Sequence, residues 1–248
     1  MLSPWTPWLA DFEASAQRPR PVVPGPPPGL RPDQQELLAR SLAVFQLGES
    51  GEGRIARQID GCCLPGVDGI YRDALRLFVA EEGRHGRILA DMVRALGGRL
   101  LRRTWTDALF TRARRLMGVR LKLIVLLAAE VVGITFYGLL AERLAVSGFR
   151  AALEQICGDE THHLAFHGVF FGMQAPDAIS RAVFRFVWWG VSVSAVATVA
   201  LDHRATLRAF GIPARVLARR ALARIREATA IALGGPAPAP VGRLWPAG

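Results

Sequence analysis

Apolar residues return at three- and four-residue spacing through most of this chain, and the apolar stretches run too long for strands. The pattern predicts five or six helices. The first covers 32–60, with Asp33 in its opening turn, where a carboxylate meets the positive end of the helix dipole. GCCLPGVDG follows as a breaker, and a second helix runs from Ile70 to Ala95 before Gly97-Gly98. A third covers 111–146, split near Gly118, and Ser147-Gly148 turns the chain into a fourth from Phe149 to Gln174. An apolar element, 178–210, and an arginine-rich helix from Pro213 to Leu233 complete the set. Residues 1–31, with PRPVVPGPPPG, and the tail 234–248 keep no period. Proline fixes φ and removes amide donors, so both ends are expected to be extended or disordered. The fold class is all-α: a bundle in 32–174, with the helices of 175–233 packed on it.

The chain also matches itself. Tyr71–His85 (YRDALRLFVAEEGRH) lies over Phe149–His163 (FRAALEQICGDETHH) without a gap, superposing Glu82 on Glu160 and His85 on His163. Glu81 and Asp159 are similar in kind at the same offset, and that offset sets Glu52 over Glu130. The chain therefore reads as two helical hairpins, each giving a Glu and then a Glu-x-x-His.

On a helix, residues three apart share a face, so each Glu-x-x-His presents a carboxylate oxygen and an imidazole nitrogen to one point. Glu130 sits in LKLIVLLAAEVVGITFYGLL, apolar all round and expected to be buried. A buried carboxylate without a partner is costly, and four together are worse. Two divalent cations resolve this, because four negative charges then meet four positive ones while two imidazoles fill further positions. That ligand set is the one found in di-metal carboxylate bundles.

On these residues, chiefly FVAEEGRH, CGDETHH and GESGEGR, the stretch 34–174 resembles the ferritin-like superfamily. The resemblance implies a four-helix bundle of two hairpins holding two iron ions, or manganese with iron, on Glu52, Glu82, His85, Glu130, Glu160 and His163. For the first helix, the repeat selects Glu52, whereas the spacing usual in rubrerythrin-like members selects Glu49. His167 is either a further ligand or a packed histidine, and Tyr137 either a redox tyrosine or a core one. His162 is expected to point away from His163, Cys157 to be a buried inert thiol, and Asp202-His203 to face solvent.

With iron, the resemblance implies oxidation of a small organic substrate by dioxygen or peroxide, with an external electron donor. A rubrerythrin-type peroxidase is disfavoured, since 3 Cys cannot form a four-Cys rubredoxin module. The Pro-rich ends and the extra apolar helix disfavour a storage ferritin. The alternatives are a metal-handling protein without turnover and a basic, membrane-associated helical protein without a metal.

Charge adds a second theme. Lys+Arg number 31 against 21 acids, a net charge of +10, and Lys122 is the only lysine. Such a balance suits an anionic membrane surface or a polyanion, or else records the arginine and alanine bias of the whole chain. FVWWGVSVSAVATVAL, 186–201, carries no charge but falls short of the ~20 residues of a full span. It is read as a core helix, a homodimer contact or, with 181–226, a peripheral membrane element. Nucleic acid is not the expected partner. Neither an apolar leader nor a disulfide framework is evident, so a cytoplasmic setting, with membrane association as the variant, is expected.

Overall fold

The computed structural model describes residues 3–49, 53–102 and 118–235, and every regular element among them is a helix. They are α1 (Thr6–Ala16), α2 (Pro32–Glu49), α3 (Gly53–Asp60), α4 (Gly69–Ala95), α5 (Val119–Ala141), α6 (Gly148–Gln174), α7 (Ala178–Asp202), α8 (Arg204–Ala209) and α9 (Ala214–Ala232).

Local chemistry sets the ends. Asp68 accepts a hydrogen bond from the Tyr71 amide at 2.7 Å and so starts α4. Ser147 does the same for α6 through the Arg150 amide, and Asp177 with Ser180 forms a reciprocal capping box on α7. Gly97 (φ 73°) takes the left-handed conformation just beyond α4, which a side chain would resist.

Two helix pairs carry the core, α2 with α4 and α5 with α6, and they meet through α4 and α6. Helix α5 is buried along most of its length, as its all-round apolar sequence requires. Helix α9 closes on α6, where a Cβ on Gly168 would stand only 2.7 Å from Ile231 Cγ2. Helices α7 and α9 lie side by side on α5, tied by Trp188 Nε1 donating to Thr229 Oγ1 at 2.9 Å.

Several expectations change. The lead-in is not wholly disordered: Thr6–Ala16 is helical and inserts Phe12 and Trp8, preceded by Trp5, into the core against α4 and α6. Burying these large rings offsets the ordering of a short helix between proline-rich flanks. Within the expected 32–60 helix, Pro32–Glu49 and Gly53–Asp60 are helical, and residues 50–52 lie outside the described residues. So do 103–117, which include the start of the expected third helix, and 236–248 of the tail. The apolar element breaks at His203. That histidine is buried rather than solvent-facing, and its Nδ1 bonds Ser41 Oγ of α2 at 2.9 Å. Helix α7 is not a core helix, since only 17% of its most apolar window is buried.

Candidate metal centre

Helices α4 and α6 meet where they carry Glu82, His85, Glu160 and His163. One donor atom from each lies within 4.8 Å of all the others. Nδ1 of His163 stands 3.0 Å from Glu82 Oε1, 3.2 Å from Glu160 Oε2 and 3.5 Å from Glu130 Oε2. Nδ1 of His85 stands 3.2 Å from Glu160 Oε1 and 3.5 Å from Glu82 Oε1. Glu130 enters from α5 and is buried, yet neither of its oxygens has a hydrogen-bond partner. Glu82 Oε1 and His85 Nδ1 are also without one.

Glu49, at the end of α2, turns its carboxylate inward although the residue is half-buried. Tyr137 Oη donates to its Oε1 at 3.4 Å. Burial first, then the charges of Glu82 and Glu160, holds the Glu49 carboxyl well above the usual range. Glu52, the ligand that the repeat selects, lies outside the described residues.

A second layer, which the sequence reading did not assign, orients the imidazoles. His85 Nε2 meets Asp159 Oδ2 at 3.1 Å, and His163 Nε2 meets Glu81 Oε2 at 3.0 Å. Each histidine is thus held by an acid from the opposite helix. A carboxylate that accepts the Nε2 proton fixes the tautomer whose Nδ1 lone pair faces the cluster. These acids are neutralised in turn. Arg18 reaches Asp159 Oδ1 at 2.7 Å, and Arg84 bonds Glu81 and donates to the Ser15 carbonyl at 2.6 Å. Ser15 Oγ also donates to Glu81. Burial opposes the charge on Glu81, but bonds from His163 and Ser15 win and bring its pKa down to about 2. The only sequence trace of this layer is the Glu81/Asp159 match in the repeat; Ser15 and Arg18 lie in the segment expected to be disordered.

Burial also opposes protonation of His85 and His163. The surrounding carboxylates prevail and raise both pKa values well above the ordinary imidazole range. The cluster therefore attracts positive charge strongly, and protons and metal ions compete for the same nitrogens. The orphaned oxygens of Glu130 and Glu82 and the orphaned Nδ1 of His85 fit a bound cation. Among the described residues these groups could hold metal ions, with hard carboxylate oxygens and imidazole nitrogens as donors.

The remaining candidates separate clearly. His167 is fully buried against Phe78, neither ring nitrogen has a partner, and burial takes its pKa down to about 3. It is not in the cluster within 4.8 Å. Tyr137 is buried at the edge of the site, and burial followed by the Glu49 charge raises its pKa. His162 turns away from the cluster and packs on Trp8 and Phe12. Burial raises the Cys157 thiol to about 12, which makes it unreactive. Phe12 and Phe78 cover His163, with ring centroids 5.8 and 4.6 Å away, so that flank of the cluster is dry. No protein-family model, curated protein or solved structure matches the chain.

Proposed function

We propose that this chain is a di-metal carboxylate protein with a ferritin-like arrangement of α2, α4, α5 and α6, and that it oxidises a small organic substrate. The observation that carries this reading is the convergence of Glu82, Glu130, Glu160 and two Nδ1 atoms on one buried point with unpartnered oxygens. Glu49 brings the carboxylates to four, which balance two divalent cations in charge. Oxygen-rich ligation with two imidazoles suits iron, or manganese with iron. Such metals, when bound, supply the electron changes that dioxygen or peroxide chemistry needs, with reducing equivalents from an external donor.

The chain's own residues do the rest. Glu82, Glu160, His85 and His163 would hold the ions, with Glu130 and Glu49 completing the set from α5 and α2. Asp159 and Glu81 keep the Nε2 protons of His85 and His163 and prevent the rings from turning. Phe12 and Phe78 exclude water from the His163 side, which strengthens every charge interaction inside. Tyr137 donates a hydrogen bond to Glu49 and steadies that carboxylate.

Elemental analysis of the purified protein tests the reading. About two iron or manganese ions per chain are expected from the ligand count, falling sharply in Glu130→Ala and His163→Ala. Oxygen uptake with a supplied reductant should follow metal content. Protein that binds no metal sinks the proposal, and protein that binds two ions but takes up no oxygen or peroxide is a metal-handling protein instead.

A further inference from the structure

Helix α7 leaves a continuous apolar stripe uncovered. Ile179, Val183, Phe186, Val193 and Leu201 are 78%, 58%, 83%, 47% and 67% exposed, and the exposed Gly190 and Ala197 fill the gaps between them. These positions recur every three or four residues, so they form one face along the helix. The opposite face holds Phe184, Trp188 and Ser192 against the body of the protein. Exposed apolar faces of this extent mark a binding surface.

Charge identifies the occupant. From Asp177 to Ala232 the chain carries nine arginines against two aspartates and one glutamate. On α9, next to α7, Arg215, Arg219 and Arg226 share one exposed face and have no ion pair among the described residues. Helices α7 and α9 pack on α5 and on each other, so the apolar stripe and the arginines lie on neighbouring helices.

We propose that this face docks on an anionic phospholipid bilayer, with α7 lying in the plane of the membrane. Phe186, Val183 and Val193 would enter the acyl boundary while the α9 arginines meet lipid phosphates. A spanning orientation is disfavoured, because one side of α7 is seated on protein and crossing would drag neighbouring arginines into hydrocarbon. A second copy of this chain fits less well. A helix of 25 residues offers a face of about 37 by 10 Å, on the order of half the roughly 800 Å² per partner of a stable dimer. Pairing would also set two strongly basic surfaces side by side.

The test is flotation of the full chain with phosphatidylcholine vesicles, with and without phosphatidylglycerol. Binding is expected on the anionic vesicles and should weaken as salt rises to about 0.5 M. Arg219→Ala and Arg226→Ala should each weaken it about fivefold. Phe186→Glu should weaken it roughly tenfold or more, with helix content unchanged, and Val183→Glu repeats the test should that variant misfold. Failure to float with anionic vesicles overturns the proposal, as does binding indifferent to both apolar-face variants. A dimer in sedimentation equilibrium without lipid, broken by Phe186→Glu, would assign the stripe to a second copy instead. None of these readouts depends on metal.

Discussion

Glu49 and Glu52 compete for one place in the candidate site, and of the two only Glu49 is among the described residues. The two residues are three apart and could share a face, and the internal repeat pairs Glu52 with Glu130. The Glu49 carboxylate sits beside Glu82 and accepts from Tyr137. Glu49→Gln is therefore expected to lower the metal content of purified protein by about one ion per chain, and Glu52→Gln to leave it unchanged. The reverse result would restore the repeat's assignment. Asp159→Asn probes the layer behind. The amide cannot hold the His85 proton as the carboxylate does, so metal affinity should fall about 10- to 100-fold in a competition with a chelator. Circular dichroism should show the same helix content.

At the scale of elements, helix α1 ties the buried Glu/His cluster to the N-terminal segment. Phe12 packs on Phe78, Phe166 and His163, while Ser15 and Arg18 hold Glu81 and Asp159. Phe12→Ala removes a fully enclosed ring, and the expected cost is about 3–5 kcal/mol in urea unfolding. A loss below 1 kcal/mol would mean that α1 rests on the body without supporting it. This helix also marks the limit of what the sequence discloses. The long periodic helices α4, α5, α6 and α9 were legible within a few residues, because burial of one face imposes a period over many turns. The spacing of Trp5, Trp8 and Phe12 was present but short, and it stood beside a proline-rich run. The paired Glu-x-x-His groups were legible as a candidate site because they lie within single helices. The bonds of Ser15 to Glu81 and of Arg18 to Asp159 join distant parts of the chain, and no local pattern announces such contacts. The break at His203 was hidden for a related reason: the apolar period runs on through 210, and the Ser41 contact made at the break comes from a distant part of the chain.

At the scale of the whole molecule, that same contact makes stability depend on pH. His203 closes the joint between α7, α8 and α2: Nδ1 bonds Ser41, the ring stacks on Phe45 at 5.0 Å, and Ser41 meets Thr206 at 2.7 Å. The groups facing it are Asp202, 3.9 Å from Nε2, and the more distant Arg40. Burial outweighs the Asp202 charge and takes the imidazole down to about 4, against an ordinary value of 6.5. A folded pKa below the unfolded one means that the unfolded chain takes up the proton first. The contribution is therefore complete above pH ~6.5 and is lost as the pH falls toward ~4, at an overall cost on the order of 3 kcal/mol. His203→Gln removes this titration while keeping a side chain able to bond Ser41. Urea midpoints of the parent protein should fall more steeply from pH 7 to pH 4 than those of the variant. Parallel curves would show that His203 is solvated in solution, and the joint with α2 would then rest on the bonds of Thr206 to Ser41 and to the Leu37 carbonyl.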